Sequence, residues 1–182
     1  IIPIPKPTPE IGEVADKVMS MLRAKGVSVK YDLDLKKRPG FKFAQYEMEG
    51  VPVRIGIGKR DLEKGVVEVA RRDTKEKASI PLDGVADYVA RLLDEIQQNL
   101  FQAALDFRVK HTTSVDNFDD FKGALEQDIP GFVSAHWDGT SETELKIKEL
   151  TKATIRCIPN DNPQEAGKCV LTGKPSKERV IF

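Results

Sequence analysis

Between residues 51 and 82 the chain packs three strand signals into little more than thirty positions. Val51, Val53, Ile55 and Ile57 are apolar at every second position, so one strand face is apolar and Arg54 falls on the other. Gly58–Gly65 reads as a turn or a single helical turn, and Val66–Arg71 and Ala78–Leu82 read as two further strands. An apolar sheet face has to be covered, and helical patterns stand on both sides of this run. Upstream, Thr8-Pro9 signals a helix start. Ile11, Val14, Ala15, Val18, Met21 and Leu22 then recur at helical spacing until Gly26. Downstream, Val85, Val89, Leu92, Leu93, Ile96, Leu100, Ala104 and Phe107 give a stripe about 30 residues long, enough to bridge two units.

Between these lie Val27, Val29 and Tyr31, which alternate as a strand, and a short helix expected over Lys42–Met48. The last third starts over. It reads as a helix at Phe118–Gln127, a strand at Phe132–Trp137, a helix opened by the capping box Ser141-Glu142-Thr143-Glu144, a strand at Thr154–Ile158 and a final strand beginning at Val180. The order predicts an α/β fold: a mixed β-sheet flanked by helices, followed by a smaller α/β domain.

Composition sets few limits. Charged residues make up 32% of 182, with a net charge of zero, but the charge is segregated. Residues 30–77 carry +4, residues 78–145 carry −9, and residues 146–182 carry +4. A basic segment on an otherwise repelling chain suits a nucleic-acid face, and equally a solvated one. No apolar run reaches the roughly 20 residues of a membrane span, and Ile1-Ile2-Pro3-Ile4-Pro5 does not read as a signal peptide. Cys157 and Cys169 form no disulfide framework and fit a reducing, cytoplasmic location. The chain lacks an initiator Met and begins and ends in apolar runs, which reads as a piece of a longer protein.

Three motifs, taken in order and spacing, resemble one family. They are Pro39-Gly40-Phe41-Lys42-Phe43, then Glu47-x-x-Gly50-Val51-Pro52-Val53-Arg54-Ile55, then Gly58-x-Arg60-Asp61-Leu62-Glu63-Lys64-Gly65 followed by Arg71-Arg72-Asp73-Thr74. The chain resembles the anticodon-binding domain of class II prolyl-tRNA synthetases, continued by the C-terminal domain of one subgroup. The resemblance implies an anticodon-binding domain over 1–98 and a C-terminal domain over 99–182. It also implies a parent enzyme that ligates proline to tRNA with ATP and magnesium, works in the cytoplasm and forms a homodimer. None of the class II signature motifs lies in the chain, so no catalytic residue and no cofactor is expected in it. The expected partner is the anticodon stem-loop of the proline tRNA, with neither DNA nor a membrane.

Proline anticodons carry two adjacent guanines. An unpaired guanine offers two Watson–Crick donors, which suit a carboxylate, and acceptors that suit Arg or Lys. Glu47 and Arg54 supply one of each, on adjacent elements. The resemblance places both at guanine-contacting positions and Lys77, by a looser match across a hairpin of variable length, at a third anticodon-contacting position; Asp61 is carried over with them. Lys42, Arg71 and Arg72 are candidate phosphate contacts on charge alone. The plainer readings stand beside these. Glu47 and Arg54 could form a surface ion pair of little consequence. Asp61 could cap a turn, and Arg71-Arg72 could be a solvated hairpin. Phe41 and Phe43 could be core rather than base-stacking.

The family's C-terminal domain often carries four cysteines spaced for structural zinc. The matching positions here are Asp138, Thr143, Cys169 and Thr172, which keep one thiolate, so no metal is expected and packing and hydrogen bonds must hold the loop. His136 could be a stray ligand or simply end a strand beside Trp137.

Two rival functions need different observations. A free-standing enzyme would need a polar catalytic cluster, which the sequence lacks. A protein-interaction module derived from a synthetase would use the acidic segment 83–128 and would not bind tRNA.

Overall fold

Thr8 opens the first helix by capping it. In the computed structural model, which describes residues 1–128 and 131–182, its hydroxyl accepts a hydrogen bond from the Ile11 amide at 3.3 Å. Pro9 takes the first helical position of α1 (Pro9–Ala24), where its missing N–H costs nothing. Gly26, at φ +76°, ends the helix. Its amide donates to the Arg23 carbonyl and that of Val27 to Leu22, the paired bonds of a left-handed cap.

The chain forms two compact units, Ile1–Ala103 and Ala104–Phe182. In the first, β1 (Ile2–Ile4), β2 (Val53–Gly58), β3 (Val66–Arg71) and β4 (Lys77–Pro81) make a sheet in that order. β1 runs parallel to β2, and the other neighbours are antiparallel. The helices are α1, α2 (Pro39–Met48), the single turn α3 (Lys59–Leu62) and α4 (Val85–Lys110), which continues past the division between the units. One sheet face is apolar. Ile55, Ile57, Val67 and Val69 pack with Ile11, Val18 and Leu22 of α1 and with Val89, Leu92 and Ile96 of α4. Each such buried side chain stabilises the fold by roughly 1.5–3 kcal/mol.

The register determines what the opposite face carries. Arg54 lies opposite Ala70, and Ala70 opposite Lys77. These three side chains therefore share the face turned away from α1 and α4. Val66–Arg71 is the middle strand of this three-stranded stretch.

In the second unit, β5 (Thr112–Ser114), β6 (Phe132–His136) and β9 (Arg179–Ile181) form a sheet in that order. It packs with α5 (Phe118–Leu125) and α6 (Ser141–Thr151) around Phe121, Val133, Ala135, Ile147, Val180 and Phe182. The Phe121 and Phe182 rings meet edge to face at 4.9 Å. A small hairpin, β7 (Gly167–Lys168) and β8 (Pro175–Ser176), precedes β9.

Several sequence expectations are corrected. Val27–Tyr31 is not a strand. Ile1 alone among the described residues bonds across to its end, its amine donating to the Lys30 carbonyl and its carbonyl accepting from the Asp32 amide. The alternation there reports burial instead, since Val27, Val29 and Tyr31 pack on the core. Thr154–Ile158 is likewise no strand; Cys157 alone pairs with Ile181. The cap of α6 is Thr140, one residue before the expected Ser141, and it accepts from the Thr143 amide. β1, β5, β7 and β8 carry no readable alternation because each has only two or three residues. Helix α2 begins at Pro39 rather than Lys42, since Pro suits a first turn.

Candidate nucleic-acid interface

The end of α2, β2 and the β3–β4 hairpin meet on the sheet face that α1 and α4 leave uncovered. Phe43, Glu47, Arg54, Arg72, Lys75 and Lys77 line one groove there. It is a small groove, about 60 Å3, open to solvent. The edge of a base can lie along its rim.

Arg54 is the best-anchored member. Its guanidinium carbon sits 3.5 Å from the centroid of the Phe43 ring, a cation–π contact. Its nearest carboxylate is Glu68, at a long 3.8 Å, and its Nη1 is buried with no hydrogen-bond partner among the described residues. Burial draws the guanidinium below its ordinary range, against the pull of Glu68 and Glu47. It remains charged. A buried donor left unpartnered is costly.

Glu47 lies at the end of α2 with its carboxylate exposed. Lys75 donates to its Oε2 at 2.9 Å. That hydrogen bond, with the charge of Lys75 behind it, holds the carboxyl below the usual carboxylate range, and Arg54 and Arg72 add to the effect. Arg72 braces the same residue from behind, its Nε donating to the Glu47 backbone carbonyl at 2.9 Å. Lys77 stands on β4 and faces Glu68 at 3.6 Å. The groove thus sets the Glu47 carboxylate among Arg54, Arg72, Lys75 and Lys77, with Glu68 facing Arg54 and Lys77 from the same sheet face.

Two of the sequence-named residues lie elsewhere. Asp61 is on α3, its Oδ2 beside Gly58 at the far end of β2. Gly58 is four residues past Arg54, about 13 Å along the strand at roughly 3.3 Å per residue. Lys42 is corrected outright as a phosphate contact. It is 3% exposed, its Nζ bonded to the Asp32 carboxylate at 3.0 Å and to the Asp32 carbonyl at 3.1 Å. The helical stripe of α2 turns Lys42 inward, and Asp32 compensates its charge. Burial alone would raise the Asp32 carboxyl, but bonds from the Asp34 amide, Lys42 and Tyr46 outweigh it and leave it lowered. Arg71 is also engaged. Its guanidinium grips Asp73 with two bonds, at 2.8 and 2.7 Å.

Phe43 and Lys75 are the members that sequence reasoning missed in these roles. Phe43 lies inside the Pro39–Phe43 motif, where aromatic content was the only signal. Lys75 sits at φ +65° in the hairpin turn, an unusual backbone for a non-glycine residue and invisible in Asp73-Thr74-Lys75-Glu76. A larger cavity, about 470 Å3, shares Tyr46, Val51, Pro52 and Arg54 with the groove and runs on between Val27–Lys30 and Val53–Ile55. Its wall is mostly Ile, Val and Leu.

In the second unit, Asp138, Thr143, Cys169 and Thr172 do not fit zinc. One thiol, two hydroxyls and a carboxylate are not the thiolate–imidazole set that a structural zinc needs. Among the described residues no group of three or more His, Cys, Asp or Glu is arranged to hold a metal ion. His136 is buried, 3.2 Å from the Ser176 hydroxyl. Among the described residues no helix is long and apolar enough to cross a membrane.

Comparison with known proteins gives these features a family. A profile described as "Anticodon binding domain" matches residues 1–92, and one described as "Prolyl-tRNA synthetase, C-terminal" matches residues 118–182. A proline–tRNA ligase of Porphyromonas gingivalis is 55% identical over 173 residues, 95% of this chain and 35% of that protein. One from Christiangramia forsetii is 56% identical over the same length and the same shares. A crystal structure of prolyl-tRNA synthetase from Cryptosporidium parvum, complexed with L-proline and AMP, superposes with a TM-score of 0.86. It is 33% identical and covers all of this chain and 39% of its own. The chain spans about a third of the length of the curated relatives it matches. It belongs to the anticodon-binding domain family, in the form found in prolyl-tRNA synthetases with their own C-terminal domain.

Proposed function

We propose that this chain is the anticodon-reading part of a proline–tRNA ligase, and that its groove discriminates the guanines of the proline anticodon. What carries the reading is the convergence of the Glu47 carboxylate with the Arg54 guanidinium, Lys77 and Arg72 in one groove on the uncovered sheet face. Glu47 accepts from the Watson–Crick edge of one guanine. The Arg54 guanidinium, by its exposed edge, and Lys77 donate to acceptors on a base edge. Arg72 and Lys75 meet the backbone, adding affinity that depends on salt and not on sequence. Asp61, on α3 just past the end of β2, would meet a neighbouring nucleotide.

The parent protein would join proline to its tRNA with ATP and magnesium, act as a homodimer and work in the cytoplasm. None of that chemistry is assigned to residues of this chain, and the partner is RNA rather than DNA. The test is filter binding of the 182-residue chain to proline tRNA at low and high salt. Binding that favours the cognate tRNA over one with both guanines replaced supports the reading. No binding at low salt rejects it in favour of a protein-interaction module.

A further inference from the structure

Outside the groove, the second unit is tied together by one carboxylate. Asp138 follows β6. Its Oδ2 accepts the Thr143 hydroxyl at 2.9 Å and the Thr172 hydroxyl at 2.9 Å. Its Oδ1 accepts the Thr140 hydroxyl at 2.9 Å and the Thr140 amide at 3.2 Å. Three segments therefore meet on one side chain: the turn after β6, the first turn of α6, and the turn between β7 and β8. Thr172 is 34 residues from Asp138, so a loop of that length is closed at this point. The Cys169 amide donates to the Lys174 carbonyl and the Val170 amide to the His136 carbonyl, fastening the same turn to β6. Cys169 and Thr143 are both buried, at 3% and 4% exposure.

Bonds to an ionised acceptor are about twice as strong as neutral ones. A carboxylate that accepts four of them does the work of a cross-link between segments. The spacing of the residues is that of a four-ligand metal site, 138 and 143 with 169 and 172, yet the donor set is wrong for one and the carboxylate already accepts from three hydroxyls and an amide. We propose that Asp138 is the structural centre of this unit, a hydrogen-bonded cross-link that stands in the place of a metal ion and lets the unit fold without zinc. The inference does not depend on tRNA binding.

Trp137 reports on this point directly. It is the only tryptophan in the chain, and its indole N–H donates to the Thr140 carbonyl at 3.1 Å. The test is thermal unfolding of the full chain followed by Trp137 fluorescence. The wild-type midpoint should stay within about 1 °C after EDTA treatment or with an equivalent of zinc chloride. Asp138→Ala should lower it by about 5 °C or more. Thr172→Val, at an exposed position, should keep the fold and lower the midpoint by a smaller amount. It should add little in the Asp138→Ala background if that variant folds. If Asp138→Ala does not fold, Thr172→Val alone decides. A Thr172→Val midpoint within about 1 °C of wild type overturns the proposal, as does a wild-type midpoint that EDTA lowers and zinc restores.

Discussion

The guanidinium carbon of Arg54 rests 3.5 Å from the centroid of the Phe43 ring, while its nearest carboxylate, on Glu68, stays 3.8 Å away. Arg54 is therefore positioned by a ring rather than consumed by an ion pair. A cation oriented by stacking keeps its N–H groups for a ligand; one in a bidentate carboxylate pair, as Arg71 is with Asp73, does not. The two arginines sit on opposite faces of the sheet, and that difference separates a reading residue from a structural one.

Phe43→Leu keeps an apolar side chain but removes the ring. Cognate tRNA binding should weaken about threefold to tenfold, as loss of a partly buried cation–π contact implies. In an Arg54→Ala background the same change should have little further effect. Titrations of the four proteins in a double-mutant cycle check this, and additive losses would mean that Phe43 acts independently of Arg54.

Arg72→Ala removes a cation whose remaining N–H groups face solvent. Binding of cognate tRNA and of a tRNA with altered anticodon should fall by similar factors, and the slope of log K against log salt should decrease by about one. A loss confined to the cognate tRNA would assign Arg72 to base reading instead.

Lys42→Ala leaves the nearly buried Asp32 carboxylate with Tyr46 and the Asp34 amide as its hydrogen-bond donors among the described residues. Unfolding in urea should show a loss of about 2–3 kcal/mol, near the lower end for breaking a buried pair. The salt slope of tRNA binding, measured where the variant is folded, should not change. A changed slope with unchanged stability would restore Lys42 as a phosphate contact.

Asp73 gives the first unit an acid limit. Bonds from Arg71, first of all, then from Asn99 and the Thr74 amide outweigh burial and hold its carboxyl well below the usual carboxylate range. A group whose folded pKa is depressed contributes stability that is complete above its unfolded value and lost as pH falls through its folded one. The unfolded value is about 3.9, so the contribution of Asp73 should fade below about pH 4. Asp73→Asn should be less stable than wild type at pH 7, with the difference shrinking toward pH 3. Urea unfolding at a series of pH values checks this, and a constant difference would contradict it.

Much of this architecture is legible in the sequence, for identifiable reasons. α1 declares itself by Thr8-Pro9, the Ile11–Leu22 stripe and Gly26. β2 and β3 declare themselves by alternation, because one face is buried and the other is not. Arg54 follows from that same parity. Lys42 defeats such reading, because its inward turn depends on Asp32, ten residues away on an irregular segment. Lys75 defeats it because its position comes from a left-handed hairpin residue without a glycine to mark it. The failed strands at Val27–Tyr31 and Thr154–Ile158 share a cause. Alternation records which side chains are buried, but a strand also needs a neighbour along its length.

The most direct test of the account compares Glu47→Ala and Arg54→Ala on two ligands, proline tRNA and the same tRNA with its anticodon guanines replaced. Affinity for the cognate should fall about 10-fold to 100-fold, the size of one good base-edge contact. Affinity for the altered tRNA should barely move, so that discrimination collapses. Equal losses on both tRNAs, or none on either, would contradict guanine reading by this pair.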